Sequence, residues 1–427
     1  METNMHSFLD FLNTSHSQFH VVANLERMLQ EAGFTKLCRK DVWQVSAGGK
    51  YYVKNGESAL VAFCVPTVTP SRFFITASHT DRPTFKVKEN PALVGQYTRL
   101  STEKYGGMLM STWLDRPLSI AGRVVVETET GVATKLLDID RDLLLIPNVA
   151  IHMNRKANEG YAYNPAVDTL PLLCTGDGKQ AFAELLEQAA GGKILGHDLY
   201  LYLRQPAMTW GMQQEFISGQ ALDDLACVWG CAQGFMKAKP TDAVSVLAVL
   251  DSEEVGSATN QGADSTFLAD TLSRICTCLQ LEEKQLLSGS MLVSADNAHA
   301  VHPNHPELSD ANNAPMPGAG VVIKFNAGGR YTTDGLSAGV FRKICQKASV
   351  PVQTYCNRAD IAGGSTLGAI SLGHVSVMSV DIGLAQLAMH SCYETMAVKD
   401  MEHLVSAICA FYGASFREDG EGNLEIG

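Results

Sequence analysis

The sequence predicts an α/β protein whose mixed sheet, flanked by helices, is interrupted by an inserted β-rich domain. Strand-like apolar runs alternate with helical periodicity before residue 88 and after residue 212, whereas the stretch between holds short β-like runs. At 427 residues the chain exceeds one ordinary core, so the simplest division is a first domain, 1–87 and 213–427, split by an insert, 88–212. Finally, five short segments each end an apolar run with groups that a metal ion would choose, and all five lie outside the insert.

In order, residues 17–33 predict an amphipathic helix, with Ser17 as N-cap, Val21, Val22, Leu25, Met28 and Leu29 on one face, and Gly33 closing it. Strands follow at 51–53 and 59–63, and the run 72–77 leads into His79. The insert offers strands at 123–126, 143–146 and 199–203, and a helix near 180–188. Beyond 215, Asp223 and Asp224 open a helix whose apolar face includes Leu225, Val228, Trp229 and Phe235. The run 243–250 is nearly all apolar, as a buried parallel strand should be, and delivers Asp251 to Glu254. Residues 291–293 deliver Asp296, and 375–380 deliver Asp381, with His390 in a following loop. Open α/β sheets build their sites at such carboxyl ends.

Composition narrows the function. Acids outnumber bases 45 to 33, a formal charge of −12, without a basic stripe or acidic tail, which argues against a nucleic-acid partner. The start Met1-Glu2-Thr3-Asn4-Met5-His6 carries an early acid and no apolar stretch of signal-peptide length follows. Apolar stretches elsewhere are strand-sized, so no membrane span is expected. The eleven cysteines are odd in number and form no CxxC pair, so reduced thiols and a cytoplasmic location are expected.

The five segments are Ser78-His79-Thr80-Asp81, Leu222-Asp223-Asp224-Leu225, Asp251-Ser252-Glu253-Glu254-Val255-Gly256, Ser294-Ala295-Asp296-Asn297 and Met389-His390-Ser391. Two imidazoles, several carboxylates and no thiolate suit a pair of borderline divalent ions such as zinc, with one carboxylate shared. Taken singly, each is weak. A lone histidine is more often a hydrogen-bonded structural residue, and an aspartate at a helix start is usually a cap. The pair Glu253-Glu254 is harder to dismiss, because two carboxylates after an apolar strand would sit near the sheet, where an unpaired charge is costly. One metal-bound Glu and one aimed at a bound water would resolve that cost. His299, His302 and His305 flank a turn with Pro303 and Pro306 and read as structural.

Over nearly its whole length the chain resembles the M18 family of metallo-aminopeptidases, aspartyl aminopeptidase-like and of bacterial type. The resemblance rests on the segments 77–81, Ile146-Pro147-Asn148-Val149-Ala150-Ile151-His152-Met153-Asn154-Arg155, 251–257, Ser294-Ala295-Asp296-Asn297-Ala298-His299-Ala300-Val301-His302-Pro303-Asn304, Gly363-Gly364-Ser365-Thr366-Leu367-Gly368 and 386–391. It implies a zinc exopeptidase-like fold with the insert as an oligomerisation domain, and a homo-oligomer, a dodecamer by family resemblance. It also implies two zinc ions per subunit, replaceable by manganese or cobalt. Asp223 would bridge them, His79 and Asp296 completing one site, Glu254 and His390 the other. Glu253 would be the general base and Asp81 the partner holding the His79 ring. His152 would enter a neighbouring subunit's site and hydrogen-bond the oxyanion. Many relatives have Arg-Leu-Asp-Asn where this chain has Ala221-Leu222-Asp223-Asp224, and Pro at Ala385. The extra carboxylate keeps Asp224 open as the bridge, although the register favours Asp223.

The expected activity is removal of N-terminal residues from peptides, with acidic N-terminal residues preferred. Lys324, a cation out of pattern in Val321-Val322-Ile323-Lys324-Phe325, is the candidate to bind the acidic side chain, with Tyr331 nearby; its bland reading is a solvated edge-strand lysine. The alternatives are an aminopeptidase of broad or neutral specificity, or an inactive, metal-stabilised assembly protein. A structural metal site needs no extra base, so the presence of both Glu253 and Glu254 argues against the last.

Overall fold

The computed structural model describes residues 2–419, 421 and 423–427, and it is an α/β protein. Its main sheet has nine strands, in the order Thr35–Leu37, Lys50–Asn55, Ala59–Cys64, Ala243–Leu250, Arg72–His79, Met291–Ala295, Met378–Gly383, Val321–Phe325 and Val352–Cys356. The four strands from Ala243–Leu250 to Met378–Gly383 are mutually parallel; Ala59–Cys64 and Val321–Phe325 flank this block antiparallel, so the sheet is mixed. Register brings the carboxyl ends out together: Leu250 pairs with His79, Ser294 with Ala77, and Ala295 with Ile382.

Every residue of Ala243–Leu250 is buried, because both sheet faces are covered. Leu247 and Val249 join a core with Trp229, Leu404 and Phe411, while Val246 and Ala248 point into a second core with Phe267, Leu272 and Ile275. This two-residue alternation is what a strand between two helical layers requires. The helix Leu222–Lys237, which carries Asp223, is locked against Val398–Gly413 by small residues. A Cβ on Gly230 would lie 2.5 Å from Leu404 Cδ2, and one on Gly234 would lie 2.7 Å from Ile408 Cβ.

A second, all-antiparallel sheet orders Gly131–Asp138, Leu118–Thr128, Ile194–Leu203, Thr84–Leu93, Tyr97–Tyr105 and Leu172–Thr175, with helix Lys179–Ala190 on its own core of Phe85, Trp113, Leu199 and Phe182. The span 88–212 therefore starts inside the strand Thr84–Leu93 and ends past Met208–Trp210, which pairs in a third sheet. The run 143–146 makes only isolated bridges, since Pro147, lacking an N–H, ends it. The third sheet joins Met208–Trp210, Phe216–Gly219, Glu394–Ala397, Ala385–Leu387 and Ala298–His299, and brackets the loop that carries His390.

The helix Gln18–Glu31 buries Val21, Val22, Leu25 and Leu29, as its periodicity predicts. Ser17 occupies the N-cap position without capping; its hydroxyl engages His20 Nδ1 at 2.8 Å instead. A helix not expected from sequence, Glu2–Thr14, packs Phe8 against Trp229 at 5.3 Å between centroids. Among the described residues no helix is long and apolar enough to cross a membrane.

Candidate metal centre

The fold gathers residues from all five segments. His79 ends Arg72–His79, Asp296 follows Met291–Ala295, and Glu253 and Glu254 open a 3-10 turn just after Ala243–Leu250. Asp223 stands at the mouth of Leu222–Lys237, where φ is −83° and ψ is 106°, not yet helical. His390 lies between Ala385–Leu387 and Glu394–Ala397. The backbone bends sharply at each approach: Ala221, Ser252 and His390 have φ of 55°, 66° and 65°. Left-handed non-glycine residues cost roughly 1–3 kcal/mol each and persist where the surroundings over-determine them.

Donor atoms of His79, Asp223, Asp224 and Asp296 lie within 4.8 Å of one another, as do those of Asp223, Glu254 and His390, and those of His79, Glu253 and Glu254. Asp223 joins the first two groups. Its Oδ1 is 3.6 Å from His79 Nε2, and its Oδ2 is 3.4 Å from His390 Nε2, which is itself 3.5 Å from Glu254 Oε1. Asp224 turns one oxygen back to accept the His79 backbone N–H at 3.2 Å. Among the described residues, Asp223 Oδ1, Asp224 Oδ1 and Glu254 Oε1 are buried without a hydrogen-bond partner. Buried carboxylate oxygens left this way are costly unless a cation takes them, so the donor set fits hard or borderline divalent ions.

Electrostatics agree. Burial raises Glu254 and Asp224 well above the carboxylate range, with neighbouring Asp223 adding to both. Burial lifts Glu253 to about 8 against the pull of His79, with Asp296, Asp81 and Asp223 pushing the same way as burial. Burial likewise lifts Asp296 to about 6, although Lys324 draws it down. Asp223 goes the other way: burial would raise it, but the His390 and His79 imidazoles that face its two oxygens hold it below the usual range. Burial would lower His79, yet Asp223 and Asp81 raise it.

A supporting layer orients these groups. His79 Nδ1 hydrogen-bonds the Asp81 carbonyl at 3.2 Å, with Asp81 Oδ1 at 3.3 Å beside it, which favours the tautomer protonated on Nδ1 and leaves Nε2 toward the centre. The same carboxylate accepts the N–H groups of Glu253 and Glu254, each at 3.1 Å, and Tyr105 Oη at 2.8 Å. Glu394, absent from the sequence reading, accepts the N–H of Asp223 at 3.0 Å and of His390 at 2.7 Å; its spacing four residues after His390 was the available signal. Arg82 is buried beside the charges of Glu394 and Asp81, its Nη1 and Nη2 without hydrogen-bond partners among the described residues. Asp381, expected at a strand end, lies within Met378–Gly383, where it accepts hydrogen bonds from Thr332 and Thr366.

Lys324 is no solvated edge lysine. It is 1% exposed on an interior strand, donates to the carbonyls of Asp296 and Asn297 at 2.7 and 3.2 Å, and lies 5.0 Å from the Tyr331 ring centroid. His152 is not gathered with the others; it is exposed, in an irregular stretch of the second sheet's unit beside the exposed Val149, Ile151 and Met153.

The family described as Aminopeptidase I zinc metalloprotease (M18) matches residues 11–412. Among curated proteins, a probable M18 family aminopeptidase 2 of Clostridium acetobutylicum is 41% identical over 420 residues, covering 95% of this chain and 97% of its own. A namesake from Pseudomonas savastanoi pv. phaseolicola is 37% identical over 418 residues, with the same coverage of 95% and 97%. Among solved structures, a chain of the Ape4 and Nbr1 complex superposes with a TM-score of 0.93 at 34% identity, covering 96% of this chain and 86% of that one. The S. cerevisiae mApe1 dodecamer shares the fold, with a TM-score of 0.85 at 24% identity over 95% of each chain. The chain belongs to the M18 family and is a metallo-aminopeptidase, a hydrolase.

Proposed function

We propose that this M18 aminopeptidase works with two zinc ions and removes acidic N-terminal residues from peptides. Asp223 would bridge the ions, with His79 and Asp296 on one and Glu254 and His390 on the other. The observation that carries this reading is the placing of Asp223, whose two oxygens each face a different imidazole. Bound zinc would supply Lewis acidity and a water of lowered pKa. The chain's own residues do the rest. Asp81 fixes the His79 ring, and Glu253, held beside the centre by its N–H on Asp81, takes a proton from water and returns it to the leaving amine. Manganese or cobalt, which accept the same donors, would substitute.

Acidic preference is supported by Lys324, a buried cation at the edge of the centre that donates to two carbonyls and lies 3.6 Å from Asp296 Oδ2, where its charge would draw a substrate carboxylate. Those same two bonds favour a second reading, broad or neutral specificity, in which Lys324 only braces the Asp296 turn. For assembly, the exposed apolar residues around His152 support a homo-oligomer in which a neighbour presents His152 to the site, where its ring N–H would stabilise the oxyanion. Unpaired thiols at all eleven cysteines support a cytoplasmic setting.

The test is a panel of aminoacyl chromogenic substrates, assayed before and after chelation, with zinc, manganese or cobalt added back and zinc counted per subunit. Activity that tracks two ions supports the dizinc reading, and activity indifferent to chelation removes it. Lys324→Met should weaken Asp and Glu substrates far more than Leu or Ala substrates; equal loss across the panel assigns Lys324 to bracing. Mixed oligomers of Glu253→Gln and His152→Ala subunits should regain part of the activity, and no regain in proven mixtures denies His152 its role in trans.

A further inference from the structure

Residues 105–112, which leave the second sheet at the end of Tyr97–Tyr105, run directly against the metal centre. Tyr105 Oη donates to Asp81 Oδ2 at 2.8 Å, on the carboxylate that also holds Glu253 and Glu254. Gly106 adopts φ +76°, and a Cβ there would stand 3.1 Å from Glu254 Cβ and 3.4 Å from Glu254 Oε2. Further along, the Leu109 N–H donates to the His390 carbonyl at 3.0 Å, and Thr112 Oγ1 accepts the Cys392 N–H at 3.0 Å. One strap of the inserted sheet thus touches three of the segments that build the centre, at Asp81, at Glu254, and at His390 and Cys392 just after it.

We propose that this strap is a positioning element of the metal centre, Tyr105 anchoring Asp81 and Gly106 leaving the room that Glu254 occupies. Loss of the Tyr105 hydroxyl leaves Asp81 Oδ2 with the Glu254 N–H alone, so the Asp81 carboxylate, and with it the His79 ring and the turn bearing Glu253, is held less firmly. Supporting partners of this kind change metal affinity by about 10–100-fold. The proposal rests on the dizinc reading, and zinc counting on the parent protein decides that reading first.

The experiment compares Tyr105→Phe with Tyr200→Phe in the full-length assembled protein. Tyr200 packs edge-on against Tyr105, with ring centroids 5.4 Å apart, and is a tyrosine of the second sheet buried more deeply than the half-buried Tyr105, but it makes no hydrogen bond to Asp81. Readouts are zinc affinity by chelator competition, the unfolding midpoint of the metal-free protein, and kcat and KM at saturating zinc. Tyr105→Phe should keep its metal-free midpoint and oligomer, bind zinc about 10–100-fold more weakly, and lose kcat with KM held. Tyr200→Phe should bind zinc like the parent. Parent-like zinc affinity in Tyr105→Phe overturns the proposal, as does equal zinc loss in both variants, which would signify general loosening. Gly106→Ala is the independent arm: weakened zinc binding in a folded protein supports the proposal, and parent-like affinity and kcat refute it. Should one variant fail to fold, the other decides.

Discussion

Two charged clusters in this molecule, one half-buried and one buried, are built on opposite principles. At the junction between the N-terminal helices and the second sheet, Asp138 accepts from His16 Nδ1 at 2.7 Å and from Tyr202 Oη at 2.8 Å, and the His16 ring stacks on Tyr202 at 3.9 Å. Nearby, Asp198 is met by Arg123 and Lys86. Each of these acids has partners from the protein, and their pKa values are held low by them against the push of burial. At the centre, Asp223, Asp224 and Glu254 keep oxygens with no partner among the described residues, although they are more deeply buried. The comparison teaches how to sort buried charge: a cluster complete within the chain serves the fold, and one left incomplete is shaped for something the chain must bind.

The largest expected effect lies at the incomplete cluster. Glu253→Gln is nearly isosteric and, in the proposed arrangement, removes no ligand, so zinc content and unfolding should match the parent while kcat falls on the order of 10²–10⁴-fold. Full activity in a zinc-replete variant would take the base role from Glu253. Asp223→Asn should fail differently, by losing zinc, because a neutral amide bridges two dications poorly. Unchanged zinc stoichiometry there would move the bridge to Asp224.

How far this could be read in advance depends on where each contact lies along the chain. His79, Glu253, Glu254 and Asp296 were legible because each follows an apolar strand, and strand ends are local facts. The partners that orient them were not. Tyr105 reaches Asp81 across 24 residues and from another sheet, and Glu394 reaches Asp223 across 171. Lys324 looked misplaced because sequence shows an out-of-pattern cation but hides the Asp296 and Asn297 carbonyls that receive it, 28 and 27 residues away. The helix Glu2–Thr14 escaped notice because its polar start masks the apolar face of Phe8, Phe11 and Leu12, which declares itself only against Trp229.

A second test uses pH, because the clusters should respond with opposite sign. In the metal-free protein, burial raises Glu253 and Glu394 from 4.5 to about 8 and Asp296 from 3.8 to about 6. Groups raised on folding add stability that is whole below their unfolded pKa and is lost as pH climbs through the folded value. The metal-free midpoint should therefore fall between about pH 5 and 8, and zinc should flatten that fall by taking the carboxylates as anions. His20 is the converse. Burial lowers it from 6.5 to about 4 against the pull of Asp138, so its contribution is present above 6.5 and disappears as pH drops toward 4. Zinc should not rescue this acid limb, because protons there compete with the ion for its imidazole and carboxylate ligands. An alkaline limb insensitive to zinc would break the contrast, since the centre would then be complete without metal.

The smallest effect is expected from Asp138→Asn at the complete cluster. Asparagine can still accept from Tyr202 Oη, so one of the two hydrogen bonds survives, while His16 loses a charged acceptor that it meets at 2.7 Å. A hydrogen bond to a charged group contributes roughly 1.5–3 kcal/mol, and partial solvent access at Asp138 places this one toward the lower end. The unfolding midpoint should drop by a few degrees, with kcat/KM and zinc affinity within about twofold of the parent, because His16 and Asp138 touch none of the groups gathered around Asp223. A fall in kcat/KM approaching that of Glu253→Gln would show instead that the junction sets the geometry of the centre. The second sheet would then act on the centre through its junction with the N-terminal helices as well as through residues 105–112.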